Sequence, residues 1–353
     1  MKLLLVRLTS LGDVLHTLPA LTDLRVFRPD VQIHWLLEPA YAPIARLHPV
    51  VTEILPCSLR SLRRKWWRLP RSLYQLRKQL RAQRYDLALD SQGLFKSALL
   101  ASLSGTEILG LDAGSAREPV ATRLYNRKFP VPWGQPAITR NRQLFAQALG
   151  YSCPAGSPDY GLQGAVQELR ERSLPGPLLP FVQTPFILGF HATSRIWHTK
   201  EWPVSYWGVL ARRVASAGYR LLLPSASARE RQRVEEIRQE GGDSVMALPP
   251  LGLEELVLLA GRSRAYLGMD TGLSYLATAL GLPGVTLYGP TANEQVPVPG
   301  VRLVSLSSPE SCAPCRRTHC PRIPDGSQSI PCQLSLDPDL AWSALEFCLE
   351  KQP

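Results

Sequence analysis

Residues 4–17 read Leu4-Leu5-Val6-Arg7-Leu8-Thr9-Ser10-Leu11-Gly12-Asp13-Val14-Leu15-His16-Thr17, and this pattern decides the fold. The apolar run 3–6 has the length of a buried strand. Thr9, Ser10 and Gly12 supply a loop, and Val14, Leu15, Leu18, Leu21 and Leu24 then recur at helical spacing. Strand, loop and helix in that order form the unit of an open α/β sheet, in which ligands bind at the carboxyl ends of the strands. Asp13 stands at the start of the helix. Ser10 and Asp13 carry side chains that cap helix N-termini, so Asp13 reads either as a helix-terminal acid or as a general base over a ligand cleft.

With 353 residues, 45% of them hydrophobic, the chain can build two domains with a core each. No stretch approaches the roughly 18 consecutive apolar residues of a membrane span. Residues 1–6 imitate a signal peptide, but Arg7 ends the apolar run and no small-residue cleavage site follows. The chain therefore reads as cytoplasmic. Its formal charge of +11 calls for an anionic partner: nucleic acid, acidic lipid or a phosphorylated substrate.

The strand–helix alternation continues through a first domain, 1–173, with further strands at 33–38, 53–57 and 87–90 and a closing helix at 138–149. Ser91, Gln92 and Gly93 follow the strand at 87–90, so that loop faces the same cleft as Asp13. A Gly-, Arg- and Pro-bearing loop holding Arg117 and residues 125–128 comes next. Residues 174–185, with four prolines, read as a linker. The second domain, 186–335, repeats the alternation, with strands at 186–191, 220–223, 265–269, 285–288 and 302–304. A terminal segment, 336–353, carries a helix expected to pack back on the first domain.

Two stretches depart from this rhythm. Residues 60–84 hold ten Lys or Arg and no acid, with Trp66 and Trp67 among them. They read as a solvated helix face or, because a one-sign run repels itself, as a contact for an anionic ligand or a membrane surface. Four of the seven cysteines crowd into Cys312-x2-Cys315-x4-Cys320-x11-Cys332. One Cys-x-x-Cys pair leaves three readings open: a structural metal, an oxidisable thiol cluster or a plain cysteine-bearing loop.

The second domain carries phosphate-binding features. Thr271, Gly272, Leu273 and Ser274 follow Asp270 at a strand end and open a helix whose free N–H groups favour a pyrophosphate. Thr193 and Ser194 can donate to phosphate oxygens, and Lys200 can place a positive charge on them. Asp270-Thr271-Gly272 reads equally as a helix cap. Neither a full Gly-x-Gly-x-x-Gly fingerprint nor a Gly-x-x-x-x-Gly-Lys-Ser/Thr loop is present, which argues against a nicotinamide enzyme and a P-loop NTPase.

The stretch 10–23 resembles the opening motif of the lipopolysaccharide heptosyltransferases, in particular the heptosyltransferase I branch of glycosyltransferase family 9. Further matches are Asp90-Ser91-Gln92-Gly93-Leu94-Phe95-Lys96-Ser97, Ala116-Arg117-Glu118-Pro119, Tyr125-Asn126-Arg127-Lys128 and Asp270-Thr271-Gly272-Leu273-Ser274. This resemblance spans almost the whole chain. It implies the GT-B architecture, α/β with two Rossmann-like doubly wound domains facing across a cleft. It implies an inverting transfer of heptose from ADP-heptose to the Kdo of lipid A at the inner face of the cytoplasmic membrane, without metal or other cofactor and without nucleic acid.

In that resemblance Asp13 is the catalytic base and Lys200 steadies the leaving diphosphate. The donor side comprises Thr193, Ser194, Glu230, Asp270, Thr271, Gly272, Leu273 and Tyr275. Glu230 matches an acid that contacts the donor's ribose or base. Arg63, Arg64, Lys65 and Arg117 match residues that hold the anionic acceptor, and Ser10, Gly12 and Gln92 are assigned to that side with them. Two departures bear on the donor sugar. Tyr275 replaces a family histidine, and the segment before Lys200 is longer than usual, with Ile196, Trp197, His198 and Thr199 in it. They keep open a related transferase with another nucleotide sugar or core acceptor. A basic nucleic-acid-binding protein is the alternative from a different class.

Overall fold

The computed structural model describes residues 1–58, 69–191, 197–293, 295–323 and 330–350. The chain divides into two compact units, Met1–Leu162 and Gln163–Pro353. This division falls ahead of the prolines at 174–185, because the helix Gln163–Glu171 is bound into the second unit. The Arg262 guanidinium donates to the carbonyls of Leu169 and Arg170, and Arg170 donates to that of Gly261.

In the first unit the strands are β1 (Lys2–Val6), β2 (Gln32–Leu37), β3 (Val51–Pro56), β4 (Leu87–Asp90), β5 (Glu107–Leu111) and β6 (Arg127–Phe129). They lie in the order β3-β2-β1-β4-β5-β6, and every pairing is parallel. Leu3, Leu4, Leu5 and Val6 of the central β1 are all fully buried, as a parallel strand covered on both faces requires. The strand order reverses between β1 and β4. At such a switch point a crevice opens beyond the strands' carboxyl ends, where the Asp13 and Gln92 loops emerge.

Strands β5 and β6 occupy residues that the sequence presents as a loop. Gly110 interrupts the apolar pattern of β5 because the Tyr125 ring fills the space of a side chain there; a Cβ would lie 2.5 Å from it. The basic run continues into the helix Leu69–Ala82, which buries Leu80 and leaves Arg71, Arg77, Lys78 and Arg81 exposed.

The second unit repeats the topology with β7 (Phe186–Phe190), β8 (Arg220–Leu223), β9 (Val245–Ala247), β10 (Ala265–Met269), β11 (Gly284–Tyr288) and β12 (Leu303–Ser307). The order is β12-β11-β10-β7-β8-β9, again all parallel, with its switch point between β7 and β10. The C-terminal helix Pro338–Leu349, expected to pack back on the first domain, spends its apolar face in the second unit. Ala341, Trp342, Leu345 and Cys348 join Trp202, Trp207, Leu267 and Val285 in one core. Asp337 caps this helix, accepting from the Asp339 and Leu340 amides at 2.8 and 3.3 Å. Among the described residues no helix is long and apolar enough to cross a membrane.

Candidate active site

In the first unit a cluster of candidate residues lies at the β1/β4 switch point. Asp13 sits in the short helix Leu11–Leu15, two residues past its start, and accepts from the Ser10 amide at 2.8 Å and the Ser10 hydroxyl at 3.1 Å. The helix-terminal role of Asp13 is thus real, but it accounts for one carboxylate oxygen only. Oδ1 faces Arg7 at 3.0 Å and Arg117 at 3.6 Å. Burial favours the protonated acid; Arg7, the Ser10 amide and Arg117 outweigh it and hold the Asp13 carboxyl below its ordinary range. Asp13 is therefore an ionised carboxylate throughout the neutral range, as a general base must be.

Arg7, Asp13, Ser91, Gln92, Arg117 and Arg140 line one cavity of about 50 Å³. Three guanidiniums against one carboxylate give it a net positive charge that suits an acidic ligand. The Nε of Arg7 and of Arg140 and the hydroxyl of Ser91 are buried with no hydrogen-bond partner among the described residues. Such unmet groups are uncommon and fit a site that a polar ligand completes. Arg140 also lies over the Trp133 ring at 3.7 Å and donates to the Ser115 carbonyl at 2.7 Å, so its position is fixed.

Gln92 lines this cavity, yet its side chain is already engaged. It accepts from the Leu8 amide at 2.8 Å and donates to Thr9 Oγ1 at 3.3 Å, tying the β4 loop to the β1 loop. Beneath it, Asp90 accepts from the Gln92 amide at 2.9 Å, Ser97 Oγ at 2.8 Å and Tyr125 Oη at 2.7 Å. Gly12 lies on the same short helix as Asp13. Arg63, Arg64 and Lys65 lie outside the described residues. The sequence presents Arg7 as the end of an apolar run and gives no sign of a site role for it or for Arg140.

In the second unit a separate cluster lies at the β7/β10 switch point. Lys200 Nζ meets Asp270 Oδ2 at 2.6 Å and lies 4.6 Å from the centre of the Trp197 ring. Tyr275 donates its hydroxyl to Asp270 Oδ1 at 2.9 Å and so braces this pair. Thr271 is the N-cap of the helix Gly272–Ala279. Its Oγ1 is buried and has no partner among the described residues. Beside it Gly272 and Leu273 contribute unpaired first-turn amides of the kind that bind phosphate. Glu230, in the first turn of Ala228–Gly241, accepts from the Ala226 amide at 2.6 Å and so serves a helix start. Thr193 and Ser194 lie outside the described residues. Among the described residues no three His, Cys, Asp or Glu side chains are placed to hold a metal ion, and the seven cysteines are free thiols.

Comparison with known proteins decides the family. The family model for glycosyltransferase family 9 (heptosyltransferase) matches residues 73–324. The chain belongs to glycosyltransferase family 9. It is 41% identical to the lipopolysaccharide heptosyltransferase 1 of Pseudomonas aeruginosa over 323 residues, covering 91% of this chain and 87% of that protein. Identity to the lipopolysaccharide heptosyltransferase 1 of Escherichia coli K12 is 36% over 294 residues, 82% of this chain and 88% of the relative. Among solved structures, E. coli heptosyltransferase WaaC with ADP-2-deoxy-2-fluoro heptose superposes with a TM-score of 0.75 at 35% identity, over 88% of this chain and 94% of that one. The family 9 chain is thus an α/β glycosyltransferase of the heptosyltransferase type, and the nucleic-acid-binding alternative falls away.

Proposed function

We propose that this family 9 enzyme transfers heptose from ADP-heptose to the Kdo of lipid A in a single inverting displacement. Asp13 takes the proton of the acceptor hydroxyl, the oxygen attacks the anomeric carbon, and ADP departs. Lys200 and the N-terminus of the helix Gly272–Ala279 offset the charge that develops on the diphosphate. The arginine-lined cavity beside Asp13 receives the acidic acceptor sugar. The basic stretch 60–84 meets phosphates of the lipid at the inner face of the membrane.

The observation that carries this reading is the Asp13 carboxylate, held ionised by Arg7 and Arg117 at the end of the central strand. The heptosyltransferase 1 relatives and the ADP-sugar complex of WaaC support the donor. The test is incubation with a panel of nucleotide sugars and deep-truncated lipopolysaccharide bearing Kdo, read by mass spectrometry. A product heavier by one heptose, with ADP-heptose alone, is the expected result. Transfer from another nucleotide sugar, or no transfer to the Kdo acceptor, would contradict it.

A further inference from the structure

Lys200 ends the short 3-10 helix His198–Lys200 and belongs to no strand of the sheet. Its own amide donates to the Trp197 carbonyl, at 3.0 Å, within the same turn. Arg229 bridges the two ends of the turn, meeting His198 Nδ1 at 2.9 Å and the Glu201 carboxylate, and its middle residue Thr199 is buried and bonded twice to the segment that carries the clustered cysteines. Thr199 Oγ1 donates to the Arg317 carbonyl at 2.8 Å, and the Thr199 carbonyl accepts from Gln333 Nε2 at 2.9 Å. Arg317 lies between Cys315 and Cys320, and Gln333 follows Cys332.

Gln333 is fully buried, and its Oε1 has no partner among the described residues. A buried amide that spends its donor on one backbone carbonyl, with its acceptor unmet, is costly for packing alone. The same nitrogen rests against Gly289, directly after β11. A Cβ at 289 would lie 2.3 Å from Gln333 Nε2 and 3.0 Å from its Cδ. The sheet thus backs Gln333, Gln333 holds the Thr199 carbonyl, and Thr199 sets the backbone from which Lys200 reaches Asp270.

We propose that Gln333 is a positioning residue for Lys200, acting through the Thr199 carbonyl, with Gly289 providing its seat. The proposal rests on Lys200 holding the donor's diphosphate. It gives the cysteine-bearing segment a function that needs no metal: it is the wall against which the Lys200 turn is set.

The test is a set of single variants, each made in the wild-type and in the Lys200→Ala background, with ADP affinity by calorimetry and turnover with saturating acceptor. Gln333→Met keeps the volume and loses the donor. Gly289→Ala displaces Gln333 without touching it chemically. Thr199→Val removes the bond to Arg317 and remains informative where Gln333→Met fails to fold. Each should weaken ADP binding and lower turnover by about 10-fold or more, since misplacement by about 1 Å can cost roughly 100-fold. The acceptor KM should stay unchanged. In the Lys200→Ala background the same substitutions should change ADP affinity by less than about 2-fold, because the group they position is gone. Full losses persisting in that background would overturn the proposal, showing that Gln333 acts on the fold at large. So would wild-type affinity in all three variants while Lys200→Ala alone is impaired. An unimpaired Lys200→Ala would refute the reading of Lys200 itself.

Discussion

The Asp13 carboxylate lies 3.0 Å from the Arg7 guanidinium, six residues back along the chain. Arg7 leaves β1 at its carboxyl end and is pinned by a bond to the Ser91 carbonyl on the β4 loop. Base and counter-charge are therefore set by the same turn. Asp13 acts as the ionised form, and its depressed pKa keeps that form present as pH falls through the ordinary carboxylate range. Removing the cation leaves burial less opposed, so the pKa rises. In Arg7→Met the acid limb of the pH–rate profile should move to higher pH than in the wild type. Superimposable acid limbs would show that Arg7 does not govern the base.

Lys200 makes a second prediction. Lys200→Ala should weaken ADP binding and slow the transfer step, with a loss of roughly 100-fold in turnover, in the range seen when one charge-stabilising donor is removed. The Asp270 carboxylate then lacks its 2.6 Å partner and faces the diphosphate unshielded. Calorimetry and single-turnover kinetics measure both effects.

The basic stretch predicts a salt effect. Exposed charges are screened over about 10 Å at 0.1 M salt. The apparent KM for the lipid acceptor should rise with ionic strength, while the donor KM moves less. Replacing Arg63, Arg64 and Lys65 together with Gln should raise the acceptor KM and flatten that slope. A variant that instead loses donor affinity would mean the two domains' roles are exchanged. An unchanged salt slope would return the run to a solvated helix face.

A stability prediction follows from the first unit's buried ion pair. Arg142 makes a two-pronged contact with Asp23, at 2.6 and 3.2 Å, and both side chains are buried. Arg142→Met strands the Asp23 carboxylate and should cost about 3–5 kcal/mol, read by urea unfolding. Restoring neutrality with Asp23→Leu in the same chain should recover much of it.

The sequence shows Asp13 because the apolar run before it and the helical spacing after it place it at a strand end, whatever the rest of the chain does. Thr271 is legible for the same reason. Arg7 is not, since a lone arginine closing a strand reads as an ordinary charge; only the pairing of β1 with β4 buries it. Arg140 is one polar residue in the helix Ala137–Leu149, and it becomes part of the site when that helix crosses the β1 end. Strands β5 and β6 hide behind Gly110 and a basic run, because Tyr125, 15 residues away in sequence, supplies the bulk that Gly110 lacks. The Thr199–Gln333 bond spans 134 residues and leaves no local signal at either end. Periodicity reports faces of elements; it does not report which distant loop a polar side chain will meet.

The central claim is that Asp13 is the general base, and Asp13→Asn tests it most directly. Asparagine keeps the size of the side chain and an oxygen for the Ser10 amide, so the loop and the donor site should be preserved. Single-turnover transfer from ADP-heptose to the Kdo acceptor, followed by mass spectrometry, should fall by at least about 100-fold, the lower range for a positioned base, with ADP-heptose affinity within about 2-fold of wild type. Transfer at near wild-type rate would contradict the account and leave Asp13 as a helix-terminal acid.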